Sequence, residues 1–255
     1  MRNSFKYRPF FCIAISLLSI SIAAQNIAGK VVYRIVDSGT HPTMSSIMNQ
    51  KVGTGELPAF AGEFFTGMER IEPSLRFELV FSKEGATFKE NEQLNLDEGD
   101  RMLIRTLQGA IGLEGCYYYR NEQVVQQKEK DGSILNLIYD DLIQWTIVSD
   151  TMLTILDRTC LLAIGHFDSI DKDGNRMARS VSVWFTPQIP VPYGPMRYSE
   201  LPGLILSVSL NKRKQLVATE IDLHSKSKPS FEPLGRGKSI SYMDYLRTVA
   251  ESSGR

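Results

Sequence analysis

The sequence predicts a mainly β protein, a curved antiparallel sheet or half-barrel with one or two covering helices. Three observations lead there. Apolar residues recur at every second position in segment after segment, the pattern of strands buried on one face. Gly, Asn, Asp and Pro punctuate those segments at short intervals and mark turns. A helical period of three to four is clear in only two stretches, and nothing has the βαβ rhythm or the Gly-rich phosphate loop of a doubly wound nucleotide enzyme.

The elements follow in order. Val31, Tyr33 and Ile35 alternate with Val32, Arg34 and Val36 in an opening strand. Residues 39–72 are poorly patterned and rich in Gly, Pro, Thr and Met, so a loop is expected there, with one short helix over 44–48. Phe77, Leu79 and Phe81 share a face of the next strand, and Lys83-Glu84-Gly85 turns it into residues 86–90 as a hairpin. Between 97 and 112 the period changes: Met102, Leu103, Thr106, Leu107, Ala110 and Ile111 fall at helical spacing, with Asn95 or Asp97 available as a cap.

Strands are expected over 116–120, 123–128 and 134–139, with turns at Asn121 and Lys130-Asp131-Gly132. Residues 144–148 and 152–156 read as two more. Residues 161–169 and 179–186 face one another across Asp171-Lys172-Asp173-Gly174-Asn175, and Val181, Val183 and Phe185 share a face. Leu204, Leu206, Val208 and Leu210 share one in the next strand, and Val217, Ile221 and Leu223 in the one after. A C-terminal helix over 240–249, capped by Ser239, carries Met243, Leu246 and Val249 on one side and is suited to cover the sheet.

Composition bounds the class. The chain has 255 residues, 29 Lys+Arg against 29 Asp+Glu, 42% hydrophobic and 23% charged residues, enough for a real core. Those values exclude a disordered chain, a collagen-like or Cys-dense scaffold, and a strongly basic nucleic-acid binder. Residues 1–24 read as a signal peptide: Arg2, Lys6 and Arg8 precede an apolar run over 10–22, and small residues at Ala23 and Ala24 suit cleavage. The apolar run is too short for a membrane span of about 20 residues. Removing this segment takes away three cations and no acid, which turns a neutral balance into −3. No Cys follows the run where a lipoprotein carries its acylated residue, so a periplasmic or secreted protein with a single domain over 25–255 is expected.

Two cysteines remain, Cys116 and Cys160. An oxidising compartment favours pairing them, the alternatives being two buried free thiols or a bond to a partner. A bridge would close a loop of 45 residues and contribute roughly 2–4 kcal/mol.

The search for chemistry returns few candidates. His41, His166 and His224 lack a second ligand at metal-binding spacing, so no metal and no cofactor is expected. Asp171 to Asn175 resembles the start of a calcium loop, but its glycine stands at position 4 instead of 6, and Ser182 stands where a closing Glu would be. A hairpin turn accounts for it. There is no G-x-S-x-G elbow, Cys160 and His166 lie roughly 20 Å apart along a strand, and Asp140-Asp141 and Asp97-Glu98 are isolated acidic pairs. An enzyme is therefore not expected, and a hydrolase assembled from scattered residues ranks last.

The most specific string runs Trp184-Phe185-Thr186-Pro187-Gln188-Ile189-Pro190-Val191-Pro192-Tyr193-Gly194-Pro195-Met196-Arg197-Tyr198, then Glu200-Leu201-Pro202-Gly203-Leu204-Ile205. It reads as a strand ending at Pro187, a proline-stiffened loop, and a Pro-Gly turn that launches the next strand. The string resembles the defining segment of the GLPGLI family, exported proteins found chiefly in Bacteroidetes, with Glu200 in place of the first glycine of the name-giving hexapeptide. A glutamate there argues against a tight φ > 0 turn at 200. Weaker similarity extends over 79–89, 119–128 and 145–160.

The resemblance implies no catalytic residues. It implies a curved antiparallel sheet similar to the half-barrels of periplasmic lipoprotein carriers. Two readings follow: a binding or carrier module for an apolar ligand, with Leu204, Leu206 and Val208 as lining, or a structural or interaction component of an envelope assembly. The second would use the loop 189–199 with Tyr193 and Arg197. No nucleic acid and no stable membrane span after processing are expected.

Overall fold

The computed structural model describes residues 27–37, 39, 42–91, 97–111, 113, 116–119, 123–128, 133–139, 143–171, 173–224, 226–229 and 236–253. In chain order these form β1 (Gly29–Asp37), α1 (Met44–Gly53), α2 (Ala59–Ile71), a 3-10 turn (Glu72–Ser74), β2 (Phe77–Ser82), β3 (Gly85–Glu90) and α3 (Glu98–Ile111). There follow β4 (Cys116–Tyr119), β5 (Gln123–Lys128), β6 (Ile134–Ile138), β7 (Gln144–Ile155), β8 (Arg158–Ile170), β9 (Arg176–Thr186), β10 (Leu204–Ser209), β11 (Lys214–Asp222), β12 (Lys238–Ser241) and α4 (Tyr242–Ser253). The expected signal segment, His41, the turns at 121 and 130–132 and the pair Asp140-Asp141 lie outside the described residues. Among those described, no helix is long and apolar enough to cross a membrane.

The strands form one sheet in the order β12-β6-β5-β4-β3-β2-β1-β11-β10-β9-β8-β7. All pairs are antiparallel except β12 with β6. The alternation seen in the sequence is the inner face of this sheet. Val31 pairs with Leu79, Leu79 with Phe88 and Phe88 with Tyr117, and the ladder runs on to Leu137 opposite Ile240. Aromatic rings fill the row: Phe77 stacks on Phe88 at 5.8 Å, and Phe88 lies 6.0 Å from Tyr33 and 5.9 Å from Tyr117. The buried Tyr33 hydroxyl donates to the Ile205 carbonyl at 2.6 Å, which ties β1 to β10 across β11. Burial holds its phenol well above the usual tyrosine range.

Two bulges decide which residues face inward. Between β1 and β11, Val32 is opposite Glu220 and Tyr33 opposite Ala218, so Thr219 is the extra residue. The bulge brings Ile221 into phase with Ala218 and Leu216, where strict alternation grouped Val217, Ile221 and Leu223. In β10 the register slips between Ile205 and Ser207. Ile205 and Val208 therefore oppose the core-facing Phe185 and Val183, and the expected face of Leu204, Leu206 and Val208 is broken at Leu206.

Three further expectations change. Residues 39–72 are not a loop with one short helix: α1 and α2 both form there. Two glycines, Gly62 and Gly67, weaken the helical signal of α2, yet Phe64, Met68 and Ile71 lie along one side of it. Gly62 also lets α1 come close, since a Cβ there would lie 2.1 Å from Asn49 Oδ1. Residues 144–155 form one strand, bulged between Val148 and Met152, instead of two. Residues 238–241 are not the start of the last helix: they pair with β6, and α4 begins at Tyr242.

Helices α2 and α3 pack on each other and bring Met68, Ile71, Ile104 and Leu107 to the core. Asp97 caps α3 by accepting the Asp100 N–H at 2.7 Å. The 3-10 turn is held to β11 by the half-buried Glu72–Lys214 ion pair. Helix α4 touches β6 and β12 at one end of the sheet and β8 near the other. The sheet thus curls until its two ends share a covering helix without pairing into a closed barrel.

Candidate functional site

The Pro-rich segment after β9 fills the space between the sheet ends. Ile189, Val191, Met196, Tyr198 and Leu201 are all buried. Its backbone is pinned by Leu204 N–H to Ile189 O at 2.9 Å, Ile205 N–H to Tyr193 O at 3.0 Å and Glu200 N–H to Pro192 O at 3.0 Å. Gly203 permits this closure, since a Cβ there would lie 2.3 Å from the Thr186 carbonyl oxygen. Glu200 adopts φ 72° and Met196 φ 59°. Contrary to the expectation from a glutamate at this position, the φ > 0 turn at 200 is present, held by the surrounding bonds against an αL cost of about 1–2 kcal/mol.

This path delivers Arg197 to a cluster of aromatic rings. Its guanidinium carbon lies 4.3 Å from the ring centroid of Phe167 on β8, 4.7 Å from Tyr139 just after β6, and 5.4 Å from Tyr242 at the start of α4. The Tyr139 and Tyr242 rings meet at 4.4 Å, tilted by 34°. Tyr198 adjoins the cluster and meets Trp145 of β7 edge-on at 6.4 Å, while the Trp145 Nε1–H donates to Ser199 O at 2.9 Å. Three segments distant in sequence thus converge on Arg197, and a fourth, β7, meets the loop at Tyr198 and Ser199.

Arg197 is 9% exposed, as is Tyr198, whereas Tyr139, Phe167 and Tyr242 are half-buried and reach solvent. Among the described residues, the Arg197 guanidinium has no ion pair and no hydrogen bond, and the hydroxyls of Tyr139, Tyr198 and Tyr242 have no partner either. Three ring contacts at about 0.5–2 kcal/mol each offset much of the cost of desolvating one cation. They do nothing for the guanidinium N–H donors or the phenol O–H groups, and a buried donor left unpaired costs about 1–3 kcal/mol. Burial raises the phenols of Tyr139, Tyr198 and Tyr242, so all three stay neutral donors at ordinary pH. The cluster carries one fixed positive charge and a surplus of donors.

The other residues nominated by sequence lie elsewhere. Leu204, Leu206 and Val208 are 0% exposed and packed within the core, so they present no surface to a ligand in this conformation. Tyr193 is half-buried with its ring 6.3 Å from Phe81, away from the aromatic partners of Arg197. The loop 189–199 is mostly buried and not a free arm. Cys160 is a buried free thiol whose pKa burial pushes up, so it is not bridged to Cys116 in this structure. Cys116 lies opposite Gln126 in β4. Asp171 Oδ1 accepts the N–H groups of Asp173 and Asn175 at 2.9 and 2.8 Å, the turn of a β8–β9 hairpin. No group of three or more His, Cys, Asp or Glu among the described residues is placed to hold a metal ion. Sequence reasoning named Arg197 but missed Tyr139, Phe167 and Tyr242, because no local pattern links positions 139, 167, 197 and 242.

Among curated proteins, none matches the chain. Two solved structures are similar at low level: "Structure of PNGF-II in C2 space group", with 10% identity and a TM-score of 0.48, and "Structure of PNGF-II in P21 space group", with 12% identity and a TM-score of 0.49. They cover 88% and 89% of this chain but only 33% and 34% of their own, so the chain spans about a third of their length. Residues 120–207, the stretch that carries Tyr139, Phe167, Arg197 and the whole Pro-rich loop, match the family model described as "Protein of unknown function (Porph_ging)".

Proposed function

We propose that the protein is an exported, non-catalytic binding module of the cell envelope whose ligand site is the Arg197 cluster. The GLPGLI-like segment 184–205 supports the exported, envelope setting, and the loop it forms is the one that presents Arg197. The observation that carries the binding reading is the buried guanidinium with three aromatic neighbours and no polar partner among the described residues. Buried polar groups in folded proteins are paired as a rule, and exceptions concentrate where something else is bound. The apolar-carrier version has less behind it, because Leu204, Leu206 and Val208 are sealed in the core.

Trp145 supplies the test, since it touches Tyr198 and the chain has two tryptophans. In a Trp184→Phe background its emission reports on the cluster alone. Small-molecule fractions of the envelope are expected to shift that emission saturably, and Arg197→Met is expected to abolish the response. An equal response in both proteins, or none from any fraction, would overturn the reading.

A second reading, an interaction component of an envelope assembly, has one feature in its favour. β7 is an edge strand of 12 residues that exposes Ile147, Met152 and Leu153. Such an edge accepts an added strand. Slowed amide exchange over 144–155 in the presence of solubilised envelope, lost in Met152→Lys, is the expected result if this edge is used. Unchanged exchange would remove it.

A further inference from the structure

We propose that the Arg197 cluster binds the carboxylate of a singly charged organic acid, an assignment that rests on reading the cluster as a binding site. The charge argues for the class. The site contains one guanidinium, three phenol O–H groups and, among the described residues, no carboxylate that meets them. Its complement is an acceptor with one negative charge. Arg presents parallel N–H donors in a planar fork that fits the two oxygens of a carboxylate, and the phenols supply further donors to the same group. A phosphate dianion would bring a second charge that no second cation among the described residues of the cluster balances.

The placement argues in the same direction. Tyr242 is the first residue of α4, a helix of 12 residues, so the positive end of that helix adjoins the cluster. Asp244 in its first turn is exposed and paired with Arg247 at 2.6 Å. Phe167 and the tyrosine rings offer apolar walls for the organic body that carries the carboxylate, and Tyr139, Phe167 and Tyr242 are half-buried and keep some contact with solvent.

The experiment compares three probes on the intact chain with Trp184→Phe: benzoate, its neutral isostere benzamide, and inorganic phosphate. Trp145 emission is one readout and the Arg197 Nε–H resonance in proton–nitrogen spectra is the other. Benzoate should shift both signals saturably at millimolar concentration, with benzamide and phosphate at least tenfold weaker. Arg197→Met should weaken benzoate at least tenfold while the far-UV spectrum is retained. Tyr198→Phe, which removes only a hydroxyl, gives a second variant should Arg197→Met fold poorly, and is expected to weaken benzoate severalfold without altering Tm by more than a few degrees.

Benzamide binding as tightly as benzoate would overturn the proposal, because the charge would then be unused. Phosphate binding more tightly than benzoate would overturn it in favour of another anion class. If no probe shifts either signal but envelope fractions still act through Arg197, the ligand class fails and the binding reading stands. If both are silent, both fail.

Discussion

Glu200 shows what one residue tolerates when its neighbours are satisfied. At φ 72° the Glu200 side chain is exposed, its backbone N–H donates to Pro192 O, and Leu201 beside it is buried. Glycine adopts this conformation without the Cβ penalty. Glu200→Gly should therefore stabilise the fold by about 1 kcal/mol and raise Tm by roughly 2–4 °C in thermal unfolding, the loss of unfolded-state restriction included. Gly203 is the opposite case. Its missing Cβ is occupied by the Thr186 carbonyl and the Pro187 backbone, neither of which can rotate away. Gly203→Ala should cost about 2–3 kcal/mol in denaturant unfolding and loosen the loop that presents Arg197, so Trp145 emission should move with it.

At the scale of elements, β12 decides how α4 is placed. Four residues pair in parallel with β6, the Asn136 side-chain amide donates to Gly237 O at 3.2 Å, and Ile240 sits opposite Leu137. The helix starts directly after, which sets Tyr242 against Tyr139. A proline at 240 would fix φ and set its ring against the backbone of Ser239 in this four-residue strand. Ile240→Pro should cost about 2–3 kcal/mol and also broaden the Arg197 Nε–H resonance, whereas Ile240→Val should cost under about 1.5 kcal/mol and leave that resonance in place. A variant that loses stability without disturbing Arg197 would show that β12 does not position the cluster.

Across the whole molecule, two carboxylates give the fold a dependence on acid. The Asp37 carboxyl is lowered, chiefly by its hydrogen bond from Arg213 and next by the Gly39 N–H. For Glu69, burial opposes ionisation, but hydrogen bonds from Ser45 Oγ at 2.6 Å and Ser45 N–H at 3.0 Å outweigh it, and the net shift is downward. Groups lowered on folding stabilise the native state above their unfolded pKa of about 4, and that stability is lost as pH falls through the lower folded values. Tm should thus be flat from pH 7 to about 5 and fall below about pH 4, and Asp37→Asn should make the fall shallower. A steep fall already between pH 7 and 6 would point to another group.

Much of this architecture is legible in one dimension because its cause is local. A strand with one buried face must alternate, so β1, β2 and β9 can be read from Val31, Tyr33, Phe77, Leu79, Val181 and Val183 alone, and Asp97 announces α3 through a cap that acts within three residues. What needed the third dimension was everything set by partners far along the chain. Thr219 and Leu206 sit at bulges that exist only through pairing with β1 and β9. Residues 238–241 become a strand because β6 offers a free edge, and the glycine at 62 has its reason in Asn49 of α1, which occupies the space a Cβ would need. The site belongs to the same class: Arg197 could be singled out by its loop, but its meaning rests on Tyr139, Phe167 and Tyr242, which only the curl of the sheet brings within reach of one guanidinium.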